Sequence, residues 1–172
     1  MSRITRGFTL IELMVTVAVS VILLAVAVPN YINFMRSNKL STNVNSFVEA
    51  LHFARLEARG RGATLCASKG YKICDGATWS DGWIIFSDYN FDGVPNGDDD
   101  ILRVGEALQG GFAITADVTT VKFGPQGFLF PAGATHSFKM CTGRDGKGAG
   151  RLVTLNLAGS PATVPYDSCP PA

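Results

Sequence analysis

Thirteen residues hold the densest run of chemistry-bearing side chains in this 172-residue chain. The run Asp88-Tyr89-Asn90-Phe91-Asp92-Gly93-Val94-Pro95-Asn96-Gly97-Asp98-Asp99-Asp100 places oxygen side chains at relative positions 1, 3, 5, 9 and 12, with glycine at 6. That is the ligand spacing of an EF-hand calcium loop, with aspartate in place of the final glutamate. Asp88, Asn90, Asp92, Asn96 and Asp99 are therefore candidate ligands for Ca2+, a hard cation that prefers oxygen. The same residues also suit a metal-free hairpin loop shaped by Asx turns and by Gly93 and Gly97. The flanking segments read as strands, not helices, and both readings stay open.

Other chemistry is sparser. Cys66, Cys74, Cys141 and Cys169 lie beyond the apolar N-terminal segment, and their even number suits disulfides in an exported domain. Three pairings are open from sequence. The favoured one joins Cys66 to Cys74 as a local loop closure and Cys141 to Cys169 as a staple for the tail after Pro161. Zinc is disfavoured, because no Cys-x-x-Cys pair exists and His52 and His136 stand apart. Lys139, Arg144, Lys147 and Arg151 form a basic stretch opposed only by Asp145. Such a stretch could contact DNA phosphates, or simply be a solvated hairpin. The chain holds no nucleophile elbow, phosphate-binding glycine loop or His-Glu-x-x-His, so no catalysis and no required cofactor are expected.

Glu12 is the most constrained charge. No charged residue lies between it and Arg36, and the intervening stretch is apolar through Val28. About 20 apolar residues at roughly 1.5 Å each span the ~30 Å of a bilayer core. A secretory signal has a shorter apolar region, with its small cleavage residue after it. Here Gly7 precedes the stretch, so a cut there removes Arg3 and Arg6 and leaves the helix attached. An acid inside a spanning helix costs about 2.5–3.5 kcal/mol, so it ordinarily has a partner or a function. Glu12 is either solvated at the interface or paired with a new amine at Phe8, in its own chain or a neighbour.

The remaining elements must position these groups. Leu40, Val44, Phe47, Val48, Leu51, Ala54 and Ala58 fall on one helical face, predicting an amphipathic continuation of the apolar helix up to Gly60. Eighteen of 19 glycines and seven of eight prolines lie from residue 60 onward, which excludes long helices there. Segments 63–67, 82–87, 101–104, 112–116, 120–123, 127–130, 136–141 and 151–157 read as strands. The fold class is α+β: a long N-terminal helical spine packed on a C-terminal antiparallel β-sheet domain. Hydrophobic residues are 47% of the chain and charged ones 17%, which excludes disorder. With 15 basic and 14 acidic residues, no general affinity for polyanions is implied.

Arg6-Gly7-Phe8-Thr9-Leu10-Ile11-Glu12-Leu13, an apolar run and then Pro29-Asn30-Tyr31 resemble the N-terminal signature of type IV pilins and pseudopilins. The resemblance implies cleavage by a prepilin peptidase after Gly7, N-methylation of Phe8, assembly through Glu12 and a helix break at Pro29. Residues 1–7 would be a leader, 8–35 a transmembrane and filament-core helix, and 36–172 a periplasmic globular domain. Leu51-His52-Phe53-Ala54-Arg55-Leu56-Glu57-Ala58-Arg59, Thr64-Leu65-Cys66 and Asp81-Gly82-Trp83-Ile84-Ile85-Phe86 are similar to the minor-pilin branch containing FimT, FimU and GspH. That branch implies a non-enzymatic minor pilin, anchored in the bacterial inner membrane and then carried into an extracellular pilus. Its partners would be major and other minor pilins, the peptidase and membrane lipid, and it would help prime assembly at the tip. Alternatives are a DNA-binding minor pilin for natural transformation and a type II secretion pseudopilin like GspH. DNA-binding relatives carry Gly-Arg-x-Arg where this chain has Gly159-Ser160-Pro161-Ala162.

Overall fold

The computed structural model describes residues 8–76, 78–97, 99–142 and 150–169. It divides into two compact units, Met1–Asn38 and Lys39–Ala172. Helix α1 is assigned over Leu10–Glu57 and crosses that boundary. The chain then forms β1 (Ala63–Ala67), a 3-10 turn (Trp79–Asp81), β2 (Trp83–Ser87), β3 (Ile101–Gly105), β4 (Phe112–Ala116) and β5 (Thr120–Phe123). It ends with β6 (Leu129–Phe130), β7 (His136–Thr142), β8 (Gly150–Leu155) and β9 (Pro161–Tyr166).

Within Met1–Asn38 the helix is apolar on every side, and its described side chains are exposed. The helix assignment runs through Pro29, the position at which the resemblance implies a break in the filament. Proline removes a single rung of the ladder, the bond to the Ala25 carbonyl. The helix-forming Leu and Ala residues on its N-terminal side carry the helix up to that gap.

Within Lys39–Ala172 the C-terminal part of α1 buries Leu40, Val44, Phe47, Ala50, Leu51 and Ala54 in one stripe. The stripe is the one the 3.6-residue spacing predicts, widened by Ala50, with Val48 only partly buried. Nine strands form two antiparallel sheets among the described residues, ordered β3-β2-β1-β5-β6 and β4-β7-β8-β9. Strands β1 and β2 are buried at every position, so both of their faces are covered. Ala63, Leu65, Ala67, Trp83 and Ile85 join the main core with the helix, whereas Cys66, Ile84 and Phe86 form a second cluster with Tyr71 and Cys74. Phe47 lies at the centre of the main core. Its ring meets Trp79, Trp83 and Phe138 edge-on at centroid distances of 5.7, 6.3 and 5.0 Å.

Strand β9 is an addition to the sequence expectation. Pro161 and Pro165 argue against a strand, yet β9 pairs with β8 from Leu155↔Pro161 to Gly150↔Tyr166. It is the edge of its sheet, and two prolines four residues apart both direct their nitrogens to the unpaired side. A disulfide between Cys141 and Cys169, with Cα atoms 5.8 Å apart, fastens the chain just beyond it. The second disulfide, Cys66–Cys74, closes the loop over the smaller cluster.

Candidate functional site

The N-terminal segment is organised around Thr9 and Glu12. Thr9 precedes the first helical residue, and its Oγ1 accepts a hydrogen bond from the Glu12 amide at 3.3 Å. This satisfies one of the four amides that a helix start leaves unpaired. Thr9-x-x-Glu12 before an apolar run is a capping-box pattern, a signal present in the sequence but outside the expectations above. The Glu12 carboxylate thus lies in the first turn, where the helix dipole favours negative charge. The helix has no cation to offer it nearby. Arg36 is 24 residues away, or about 36 Å along the axis.

The rest of this segment meets the requirements of an apolar solvent. The Thr16 hydroxyl donates to the Leu13 carbonyl at 2.9 Å, and the Ser20 hydroxyl to the Thr16 carbonyl at 2.7 Å. Neither hydroxyl then presents an unmet donor to hydrocarbon. Phe8 is 85% exposed, and Leu13, Ile22, Leu23, Val26, Phe34 and Met35 are exposed with it. An apolar surface of this extent marks a membrane or a protein partner. The helix is long and apolar enough to cross a membrane. Arg3, Arg6 and Gly7, the proposed cleavage site included, lie outside the described residues.

The acidic loop is held by hydrogen bonds among the candidate ligands and the loop backbone. Asp88 is fully buried, and its Oδ2 accepts from the Thr64 hydroxyl at 2.6 Å and the Gly93 amide at 3.1 Å. Asp92 is exposed. Its Oδ1 accepts from the Val94 amide, and its Oδ2 from the side-chain amides of Asn90 and Asn96. The Val94 bond, foremost, holds the Asp92 carboxyl below its ordinary pKa, with smaller contributions from the two asparagines and Lys122. Asp99 closes the loop, accepting from the Tyr89 amide at 3.4 Å and the Asn96 amide at 3.2 Å. Among the described residues no three His, Cys, Asp or Glu side chains converge as a metal-binding group.

Of the expected basic residues, Lys139 and Arg151 are described, and the structure places them apart. Arg144 and Lys147 lie outside the described residues. Strands β7 and β8 pair Lys139 with Leu152 and Met140 with Arg151. Side chains alternate along a strand, so Lys139 and Arg151 occupy opposite faces of the sheet. Lys139 lies over the Tyr166 ring at 5.8 Å, and an Arg151 guanidinium nitrogen donates to the Gly150 carbonyl. They therefore do not form a single phosphate-binding surface. His52 is exposed on α1 and His136 half-buried at the start of β7.

Comparison with known proteins adds two family matches. Residues 43–159 match the family described as Type II transport protein GspH, and residues 2–28 match the prokaryotic N-terminal methylation motif. "Prepilin peptidase-dependent protein D" of Escherichia coli (strain K12) is 37% identical over 73 residues, covering 42% of this chain and 45% of the relative. "Type IV major pilin protein PilA" of Myxococcus xanthus (strain DK1622) is 50% identical over 48 residues, covering 26% of this chain and 22% of the relative. The chain spans less than half the length of either relative. No solved structure matches significantly.

Proposed function

The chain belongs to the GspH family, and from that membership we propose that it is a minor type IV pilin, a structural subunit that joins a pilus and helps prime its assembly. The observation that carries this reading is the apolar segment from Phe8 to Met35, exposed along its length and bearing a single carboxylate at Glu12. In the inner membrane, lipid covers that surface. In the filament, helices of other subunits cover it, and hydrocarbon is exchanged for close helix contacts. The β-rich domain stays on the periplasmic side and later lies on the filament surface, where it selects neighbouring pilins. Processing after Gly7 removes the basic leader and creates an amine at Phe8 that can pair with Glu12.

Mass spectrometry of the subunit from sheared pili tests this reading. The expected N-terminus is a methylated Phe8, and blocking the Gly7 cut keeps the chain in the membrane fraction. Filaments containing subunits that begin at Met1 would overturn it. One observation favours a second reading, a pseudopilin of type II secretion: the GspH match covers most of the globular domain. Co-purification with secretion-system tip subunits instead of pilins would select that reading.

A further inference from the structure

One buried atom in the acidic loop lacks a partner. Asp88 is fully buried, and among the described residues its Oδ1 has no hydrogen-bond donor, whereas Oδ2 of the same carboxylate holds two. The Gly93 amide that donates to Oδ2 belongs to the turn of the loop, so the carboxylate is directed into the loop interior. A buried carboxylate oxygen without a donor is costly, and native structures almost always satisfy it with a donor, a water or an ion. A second feature points to the same place. The Asn96 amide nitrogen donates at once to Asp92 Oδ2 at 2.8 Å and to the Val94 carbonyl at 2.9 Å, bridging two acceptors with one partly positive group.

We propose that the loop between β2 and β3 is a calcium site built on Asp88 Oδ1, the Asp92 carboxylate, the Val94 carbonyl and the side-chain oxygens of Asn90 and Asn96. Two carboxylates with amide and carbonyl oxygens make a hard, all-oxygen donor set, which calcium accepts and which does not require three converging acids. A half-turn of the Asn96 amide exchanges nitrogen for oxygen toward the ion, whereas Asn90 Oδ1 already accepts from the Asp92 amide at 3.2 Å and can share its second lone pair. Asp99 is not a ligand in this arrangement. Its two oxygens hold the Tyr89 and Asn96 amides, so it acts as a positioning residue that brings position 9 to the site. Lys122 is tied to the Phe91 carbonyl at 2.9 Å, and its ammonium end packs beside Gly93, where it offsets part of the loop's negative charge.

With two charged ligands, the affinity falls in the class of extracellular modules, with Kd about 10⁻⁴–10⁻³ M. Such a site fills outside the cytoplasm, which rests on the proposed export of this domain. Binding itself does not depend on that reading. The test therefore uses the purified full chain in detergent, stripped of metal, and is independent of pilus incorporation. Calcium chloride, up to roughly ten times the upper Kd, should raise the melting temperature, whereas magnesium chloride should not. Asp92→Asn keeps the size of an exposed side chain and removes one ligand charge and one acceptor oxygen. It should need at least about tenfold more calcium for the same shift. Terbium luminescence sensitised by Tyr89 and quenched by added calcium is the second readout, and decides the matter if the variant does not fold. A melting temperature indifferent to calcium, an Asp92→Asn response equal to that of the parent, or terbium emission that calcium does not displace would each overturn the proposal. The first of these would assign Asp88 Oδ1 to a buried water.

Discussion

Replacing Glu12 distinguishes two roles proposed for one side chain. As the acid of a capping box, Glu12 supports the start of α1, where its amide is already held by Thr9. As the single charge of the apolar segment, it can pair with the Phe8 amine of a processed neighbour. The magnitudes differ enough to separate them. Losing a cap costs about 1 kcal/mol, or roughly fivefold in an equilibrium. A charge pair at about 4 Å contributes about 1 kcal/mol in water but about 4 kcal/mol at an effective dielectric of 20. Side chains around Glu12 in the helix are apolar and would exclude water in a filament core, so the higher figure applies. Loss of pairing should then lower incorporation by two orders of magnitude or more. Glu12→Gln keeps the capping capacity and loses the charge, Glu12→Ala loses both, and Thr9→Ala loses the cap alone. The assay is the ratio of subunit in sheared filaments to subunit in the inner membrane, read by quantitative immunoblot. Pairing predicts that Glu12→Gln and Glu12→Ala are both depleted at least about 100-fold, with Thr9→Ala near fivefold. Glu12→Gln within fivefold of the parent would refute the pairing argument and leave the cap as the function of this residue.

Three further outcomes follow from the globular unit, measured on a fragment from Lys39 onward that retains its buried core. The Cys141–Cys169 bridge closes 28 residues and Cys66–Cys74 closes 8. In the chain-entropy account, serine replacement of each pair costs about 3.6 and about 2.5 kcal/mol. Urea unfolding should rank them in that order, and the reverse ranking would contradict the account. Phe47→Ala should lose about 4–5 kcal/mol, the upper end for a phenylalanine, because three aromatic edges meet its ring. A loss below about 2 kcal/mol in the same titration would mean the pocket collapses around alanine. Asp81 is held below its ordinary pKa first by the Thr78 hydroxyl and then by the Thr78 amide. A lowered carboxyl contributes its stability above the unfolded value, near 3.9, and loses it as pH falls through the folded value. Melting temperatures of the parent and Asp81→Asn should therefore differ at pH 7 and converge in strong acid. A gap that widens in acid would refute the assignment.

How much of this could be read from the sequence varies with the kind of information each feature needs. The helical stripe from Leu40 to Ala58 and the apolar segment before it are local patterns, and both are legible without coordinates. The cap at Thr9 is equally local, but its capping-box spacing coincides with the processing motif and is easily read as that alone. Strand β9 is obscured because proline is a poor strand residue until the strand is known to lie at an edge. The separation of Lys139 from Arg151 depends on the β7–β8 register, which residue spacing along the chain does not encode. Burial of Asp88 is a tertiary fact of the same sort. It follows from β1 placing Thr64 on the face opposite Leu65, where its hydroxyl meets the carboxylate.

Division of labour along the chain has an energetic basis. Helix surface that leaves lipid for a filament gains little from the hydrophobic effect, since hydrocarbon and packed apolar side chains are similarly dry. Selection of the filament must then come from close contact and from charge. In the proposed filament, Ala18, Ser20, Ala25 and Ala27 would supply small side chains that let helices approach, and Glu12 would supply the charge. The globular unit cannot depend on this exchange, because it must be folded both before and after it. Its buried residues run from Leu40 to Cys169, and two disulfides join loops and tail to its strands. A substitution in that core should thus lower subunit abundance without changing the filament-to-membrane ratio of the subunits that survive, whereas a change at Glu12 should alter the ratio at constant abundance.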